Sequence, residues 1–188
     1  MYIDLHTKFG NNIKTLNWGS KESQYRRFNI LNQIGDLQNQ SLLDVGCGFA
    51  DLYDFLKDKK IEVNYTGLDI TEPILEDARK KFPLVKFIND SLLNLPESSM
   101  FDYVFASGIY TYRSEKEYEY IEDMTKSMFA HCIKGVAFNC LSQWADTKDE
   151  GEFYADPCTI IEIGHKLTKR LVMRHDYQPN DFTIYLYK

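Results

Sequence analysis

The 188-residue sequence predicts an α/β fold with a mostly parallel sheet and helices on both faces. Three observations carry this prediction. Short apolar segments alternate with helix-like segments between Ser41 and Leu141, which is typical of βαβ units. A loop containing two glycines directly follows the first apolar segment. The final segment, Asp181–Tyr187, alternates apolar and polar residues, as expected of a hairpin strand that ends the sheet.

The region before the sheet divides into two parts. Residues 1–20 show no sustained periodicity and are predicted to form an irregular arm with one helical turn. A helix over Glu22–Ile34 is predicted because apolar residues recur at a spacing of three, and Gly35 is expected to end it.

Strands and helices then alternate to the end of the chain. Ser114 and Glu117 have the spacing of a capping box at the start of a helix. Asp156 and Pro157 have the character of an N-cap and a first-turn proline. The predicted strands are Leu42–Val45, Val63–Ile70, Val85–Asn89, Phe101–Ser107, Val136–Leu141, Arg170–Tyr177 and Asp181–Tyr187. The predicted helices after the first are Ala50–Lys59, Pro73–Phe82, Glu115–Cys132 and one that begins at Asp156.

Composition narrows the class of protein. The chain is 44% hydrophobic and 27% charged, which predicts one globular domain. Its apolar runs are too short for a membrane span or a secretory leader, so we expect a cytoplasmic protein. Four scattered cysteines without a CxxC pair predict reduced thiols, with neither a metal site nor a disulfide framework. A net charge of −6 disfavours nucleic acid as a partner.

The glycine loop predicts a nucleotide-like ligand. Gly46 and Gly48 let the backbone turn tightly and bring its N–H groups to a ligand at a helix N-terminus. Both dinucleotides and S-adenosylmethionine use this geometry. A dinucleotide fingerprint would place a third glycine where Asp51 stands, and the Asp51 carboxylate would repel a pyrophosphate. A cationic sulfonium would tolerate that carboxylate, so the loop favours S-adenosylmethionine.

Two further strand ends supply polar groups for the same ligand. Asp69 lies 21 residues beyond Gly48, at a position where a carboxylate accepts hydrogen bonds from both ribose hydroxyls. The third strand ends at Asn89, Asp90 and Ser91, which places an acceptor and a backbone N–H at the level of an adenine ring. The three strand ends are expected to converge on one adenosyl site.

The segments LLDVGCGFAD, YTGLDIT, VKFINDSL and FDYVFASGIY, in this order, resemble the class I S-adenosylmethionine-dependent methyltransferases over residues 41–142. The flanks NWGSKESQYRRF and MRHDYQPNDFTIYLYK are similar to a group of small stand-alone bacterial methyltransferases. The resemblance implies a Rossmann-like fold with a seven-stranded sheet that ends in an antiparallel hairpin, and S-adenosyl-L-methionine as cofactor. Ala50 departs from the usual third glycine. The implied donor contacts are Asp44, Gly46 and Gly48 for the amino-acid part, Asp69 for the ribose, Ile70, Asp90, Ser91 and Leu92 for the adenine, and Ser107 for the methionine portion.

The resemblance also suggests a lid. Families of this kind often fold an N-terminal segment over the donor, which would bring Trp18 and Arg27 to the site. Arg27 would then pair with the donor carboxylate. Helix packing and surface charge are the alternative roles of these two residues.

The residues predicted to bind the acceptor or to act as a general base lie at the carboxyl edge of the sheet. Tyr110 and Tyr112 follow the fourth strand, and Arg113 is suited to a bidentate contact with a carboxylate or phosphate, or else is a solvated surface residue. His175, near the end of the sixth strand, and Tyr110 are the candidate general bases, with Asp176 close enough in sequence to orient the histidine.

The predicted domain spans residues 1–188, with an arm and helix at 1–40, a donor-binding core at 41–142 and a substrate side at 143–188. Residues 106–110 lack the Asp/Asn-Pro-Pro-aromatic motif associated with methylation of base or glutamine amino groups. We therefore expect O- or N-methylation of a small molecule, such as a sugar or another metabolite, by a monomer or homodimer. The alternatives are a non-catalytic S-adenosylmethionine-binding regulator and an RNA methyltransferase that needs a partner.

Overall fold

The computed structural model describes residues 2–16 and 19–188. Within these ranges a seven-stranded sheet forms the centre of the fold. Its strands are β1 (Gln40–Val45), β2 (Val63–Asp69), β3 (Lys86–Asn89), β4 (Phe101–Ala106), β5 (Cys132–Leu141), β6 (Leu171–Arg174) and β7 (Asp181–Tyr187). The helices are α1 (Tyr2–Phe9), α2 (Lys21–Leu31), α3 (Asp51–Asp58), α4 (Glu72–Lys81), α5 (Glu117–Ala130) and α6 (Pro157–His165).

The sheet has the strand order β3-β2-β1-β4-β5-β7-β6. β7 pairs antiparallel with both β5 and β6, and the other neighbouring strands pair parallel. The order reverses between β1 and β4, which opens a crevice at the carboxyl ends of those strands. The predicted mostly parallel sheet with a terminal hairpin is confirmed.

The two faces of the sheet pack into separate cores because successive strand residues point to opposite sides. In β1, Leu43 and Val45 join the core that includes side chains of α5 and α6, whereas Leu42 joins the core of α2, α3 and α4. Leu42 and Leu43 are both fully buried, as expected of a central strand covered on each face.

The N-terminal arm is more ordered than its sequence predicts. Residues 2–9 form α1, and a 3₁₀ turn spans Ile13–Leu16. The His6 ring nitrogen Nε2 lies 2.9 Å from Oδ2 of Asp77 on α4, and the His6 ring lies 6.1 Å from that of Phe49. These tertiary contacts stabilise a helix that local periodicity alone is too weak to reveal.

Two other helix boundaries differ from expectation. The predicted helix to Ile34 ends as an α-helix at Leu31 and continues as a 3₁₀ turn. α5 begins two residues after Glu115 because only one of the two hydrogen bonds of the predicted capping box forms. The Glu117 carboxylate accepts the Ser114 backbone N–H at 2.9 Å, but the Ser114 hydroxyl accepts the N–H of Lys116 rather than that of Glu117.

Asp156 acts as the N-cap of α6, as predicted, with its carboxylate accepting the Cys158 N–H at 3.2 Å. The four cysteines are free thiols. In the described ranges, no helix has the length and apolar character that crossing a membrane would need.

Candidate donor site

A cavity of about 330 Å³ opens where the carboxyl ends of β1, β2, β3 and β4 meet. Its size lies in the range of small-molecule sites, and most of its walls are apolar. It brings together most of the residues predicted for donor binding. Those that line it are Gly46, Asp69, Ile70, Asp90, Ser91, Leu92 and Ser107.

The glycine loop forms one wall of this cavity. The N–H groups of Gly46 and Cys47 both donate to the Leu68 carbonyl, at 2.8 and 3.1 Å, which ties the loop to the end of β2. Gly46 has a φ of +71°, and a Cβ on it would lie 2.3 Å from Cγ2 of Ile109. Glycine is therefore required at this position both for its backbone conformation and for the space it leaves.

Asp69 presents a carboxylate that the backbone holds in place. Its Oδ2 accepts the Gly48 N–H and its Oδ1 accepts the Thr71 N–H, both at 2.9 Å. Burial raises the pKa of Asp69, although these two bonds favour the ionised form. Each oxygen keeps a lone pair that can accept a hydroxyl proton from a ligand.

Asp90 lies further along the same cavity, at the end of β3. Its Oδ1 accepts the Ser91 N–H at 2.7 Å and the Asn94 side-chain amide at 2.8 Å. These bonds lower the pKa of Asp90, which keeps the exposed carboxylate ionised at neutral pH. Asn94 was not singled out by the sequence; it orients the acceptor predicted for an adenine amino group.

The opposite wall comes from the loop after β4, which β5 positions. The Asn139 side-chain amide donates to the Ser107 hydroxyl at 3.0 Å, and its carbonyl oxygen accepts the Gly108 N–H at 3.1 Å. Asn139 is 3% exposed. A lone asparagine within the apolar run of β5 is the sequence signal that could have revealed this role.

Comparisons with known proteins agree with this geometry. A sequence model of the methyltransferase domain matches residues 42–131. Over 155 residues the chain is 29% identical to the predicted methyltransferase Rv1506c of Mycobacterium tuberculosis, with 79% of this chain and 93% of that protein covered. Residues 42–131 therefore form a methyltransferase domain.

Solved structures of methyltransferases show the same fold. Magnesium protoporphyrin IX methyltransferase from Synechocystis PCC 6803, crystallised with S-adenosylmethionine, superposes with a TM-score of 0.68 at 14% identity, covering 99% of this chain and 90% of that one. The small RNA methyltransferase HEN1 superposes with a TM-score of 0.62 at 16% identity, covering 88% of this chain and 25% of that one. The first of these likenesses extends over nearly the whole of this chain and shows that the two proteins share a fold.

Two residues predicted to contact the donor amino acid lie outside the cavity wall. Asp44 is 3% exposed beneath the loop, where the Tyr65 hydroxyl donates to its carboxylate at 2.5 Å. Burial raises the pKa of Asp44 to about 7. Gly48 contributes its N–H to Asp69 rather than a surface to the cavity. Both residues therefore support the walls of the donor site from behind.

Of the two roles expected for Arg27, the contacts in the structure fit helix packing rather than pairing with the donor carboxylate. Its Nε and Nη2 donate to the Asp181 carboxylate at 2.9 and 2.6 Å, and its Nη1 donates to the Ser23 hydroxyl. This buried ion pair joins α2 to the start of β7, and Arg27 does not line the donor cavity. Trp18, the other predicted lid residue, lies outside the described residues.

The two candidate bases do not reach the donor cavity either. Tyr110 is 3% exposed with its hydroxyl 3.7 Å from Sδ of Met128, and burial raises its pKa well above the usual range of a tyrosine. His175 lies at the carboxyl edge, as the topology predicted, but β5 and β7 separate its strand from β4. Its Nε2 lies 2.8 Å from the Ser142 hydroxyl. Asp176, predicted to orient it, pairs with Arg174 instead.

Asp51, predicted to face the ligand, also points away from the cavity. Its carboxylate accepts the Gln24 amide at 3.1 Å and lies 3.6 Å from Nζ of Lys81, so it faces α2 and α4 rather than the cavity. The described walls of the cavity carry the Asp69 and Asp90 carboxylates and no lysine or arginine, so the cavity itself disfavours a pyrophosphate.

Several cavity residues were missed because they come from segments with no motif. Leu16 belongs to the N-terminal arm and reaches over the glycine loop, where a Cβ on Gly48 would lie 2.8 Å from its Cδ1. Tyr120 and Met124 come from α5, whose apolar positions are indistinguishable in sequence from ordinary core. Tyr112, a predicted substrate contact, also lines the cavity.

Proposed function

We propose that the cavity holds the donor with its adenosine over the ends of β2 and β3. Asp69 would accept the ribose hydroxyls, Asp90 the adenine amino group, and Ile70 and Leu92 would cover the adenine faces. Gly46 and Ser107 would border the methionine portion. Support comes from the two oriented carboxylates in one largely apolar cavity of suitable size.

The change Asp69→Asn tests this assignment. An amide cannot accept hydrogen bonds at both positions where Asp69 accepts backbone N–H groups, and it removes charge-assisted bonds to ribose worth about 1.5–3 kcal/mol each. We expect calorimetric titration with S-adenosylhomocysteine to show a loss of affinity of at least tenfold. The exposed Asp58→Asn variant controls for net charge, and equal affinities for the two variants would refute the assignment.

For the acceptor, we propose a small molecule. The observation that carries this is the charge around the mouth of the site. The first turns of α5 and the loop after β5 bring acidic side chains to the carboxyl edge, and these would repel a nucleic-acid backbone. They are Glu115, just before α5, and Glu117, Asp146, Asp149 and Glu150; Glu119 is paired with Lys116.

The site is suited to promoting methyl transfer by aligning donor and acceptor and by excluding water from the reacting atoms. S-adenosylmethionine supplies an electrophilic methyl group for in-line displacement. Tyr112 and Tyr120 line the cavity and would exclude water from the reacting atoms. No histidine lines the described part of the cavity. The acceptor that suits it is therefore an oxygen that is already ionised, or an unprotonated amine whose proton passes to water after the transfer.

Methyl transfer from radiolabelled donor tests the acceptor class. The protein would be incubated separately with a desalted small-metabolite extract and with total RNA from one bacterial culture. We expect label in the metabolite fraction only. Label in RNA alone would refute the small-molecule proposal and leave the methyltransferase assignment intact. Asp69→Asn serves as the control for donor-dependent transfer.

A further inference from the structure

A second cavity, of about 350 Å³, lies beside the donor site. It is formed where the segment after β4 meets the loop after β5. An antiparallel bridge joins Tyr112 to Glu152, and the Phe153 N–H donates to the Thr111 carbonyl at 2.8 Å. The two segments are therefore held together, and the cavity between them is a defined feature of the fold.

Aromatic side chains form much of its wall. Tyr118 and Phe153 make an edge-to-face contact with ring centroids 5.3 Å apart, and Tyr154 completes the wall. Rings in this arrangement offer edges and faces to a planar or apolar ligand group.

Two cations of this cavity have no acidic partner in the part of the chain that the structure describes. Arg113 donates through Nε to the Glu152 carbonyl at 2.8 Å, which fixes the plane of its guanidinium, and among the described residues neither Nη has a hydrogen-bond acceptor. Lys148 has no carboxylate partner among them either; its Nζ lies 5.8 Å from the Tyr154 ring centroid. Among the described residues of the wall, Glu117 is the one acid, and its carboxylate accepts the Ser114 N–H.

We propose that this cavity is the acceptor's anchoring subsite and binds an oxyanion, a carboxylate or phosphate, carried on a small ring-containing molecule. A guanidinium with a fixed plane and two available Nη groups matches an oxyanion's paired oxygens. Tyr112 lines the donor cavity and Arg113 lines this one, so adjacent residues connect the two sites. An acceptor anchored here would extend its nucleophile towards the donor methyl group. This inference rests on the proposed small-molecule acceptor.

The surroundings favour a single small anion over a polyanion. Lys148 is flanked in the chain by Asp146, Asp149 and Glu150, and Arg113 is followed by Glu115. One oxyanion enclosed by the two cations would escape this repulsion, whereas a nucleic-acid backbone would carry several phosphates across it.

Binding of matched probes to the protein saturated with S-adenosylhomocysteine tests the subsite. The probes are phenylacetate, phenyl phosphate, the neutral phenylacetamide and a short single-stranded RNA. We expect both small anions to bind at least fivefold more tightly than the amide, and the preferred anion then separates carboxylate from phosphate. Arg113 and Lys148 are both exposed, so Arg113→Gln and Lys148→Gln should each weaken anion binding by up to about fivefold, the range of an exposed ion pair.

Matched variants show whether a loss of anion affinity comes from the removed charge or from a disturbed loop. Arg113→Lys should recover part of the anion affinity, while affinities for phenylacetamide and S-adenosylhomocysteine should stay unchanged in all three variants. Lys148→Gln breaks no hydrogen bond, so it remains informative if Arg113→Gln loosens the loop. Arg26→Gln and Lys166→Gln remove exposed charges elsewhere and should not alter anion binding.

Three outcomes would overturn the subsite: no anion binding up to about 10 mM, equal binding of anion and amide, or the same loss in the Arg26→Gln control. Tight RNA binding lost in Arg113→Gln would replace the small anion with a nucleic-acid phosphate. These outcomes are independent of the methyl-transfer assay, because label in metabolites without anion preference refutes the subsite alone. Label in RNA refutes the proposed acceptor class.

Discussion

Gly46 in the glycine loop and Gly10 in the N-terminal arm together separate two reasons for a glycine: its backbone conformation and the space that a side chain would need. Gly10 and Gly46 both lie in the left-handed region, with φ of +58° and +71°. A Cβ added to Gly10 would meet no atom within 4 Å, whereas one added to Gly46 would lie 2.3 Å from Cγ2 of Ile109. Gly46→Ala and Gly10→Ala therefore share a backbone penalty and differ in a clash.

The magnitudes follow from these two terms. An L-residue in the left-handed region costs about 1–2 kcal/mol relative to its preferred conformation. Overpacking a well-filled site costs a further 1–3 kcal/mol or so. We expect Gly10→Ala to lower the free energy of unfolding by about 1 kcal/mol and Gly46→Ala to lower it by about 3 kcal/mol. Since Ile109 must shift to admit the methyl group, affinity for S-adenosylhomocysteine should also fall, because Gly46 and Ile109 both line the donor cavity.

Urea denaturation and calorimetric titration measure the two effects. The double variant Gly46→Ala/Ile109→Ala should be destabilised by less than the sum of its single changes, because removing the Ile109 branch also removes the clash. Equal destabilisation by Gly10→Ala and Gly46→Ala, or strict additivity in the double variant, would refute the packing argument.

Two further predictions concern buried charge. Burial raises the pKa of Asp44 from 3.8 to about 7, so the folded protein binds more protons than the unfolded chain between those values and stability falls as pH rises through this window. Asp44→Asn should therefore be more stable than wild type at pH 8, and its advantage in denaturation free energy should shrink by about 2–3 kcal/mol at pH 5; a constant difference would contradict this. Asp181→Ala leaves the buried Arg27 without its carboxylate and should cost about 3–5 kcal/mol, whereas replacing both by Arg27→Met and Asp181→Leu should recover most of this loss in urea denaturation.

The sequence predicted the sheet because its strands carry strong local signals. β7 was predicted at its observed bounds, since alternation over seven residues is unambiguous. The strand-end carboxylates Asp69 and Asp90 were found because parallel strands bring their carboxyl ends to one edge. Spacing along the chain therefore determined which cavity these two residues line.

Residues whose position depends on tertiary contacts were harder to place. Arg27 and Asp181 are 154 positions apart, and no local pattern indicates that they pair. The position of Tyr110 directly after β4 places it at the carboxyl edge of the sheet. Whether its side chain is buried depends on the direction in which that side chain points. It packs against Tyr120 and Met128 of α5, which the sequence does not indicate. α1 is stabilised by contacts with α4. Its own residues show no helical periodicity, so the sequence alone does not predict the helix.

Ala50 shows why one departure from the family pattern is tolerated. It is fully buried and left-handed, with φ of 60° and ψ of 39°, at the N-cap of α3. The conformation costs alanine about 1–2 kcal/mol relative to glycine. Burial of the methyl group returns about 0.8 kcal/mol, and the smaller entropy of the unfolded alanine chain returns about 0.4–1 kcal/mol. These terms nearly cancel, so Ala50→Gly should change the free energy of unfolding by less than about 1 kcal/mol. A stabilisation above 2 kcal/mol or so in urea denaturation would mean that the left-handed penalty is not offset. The loop would then need glycine at position 50 as it does at Gly46.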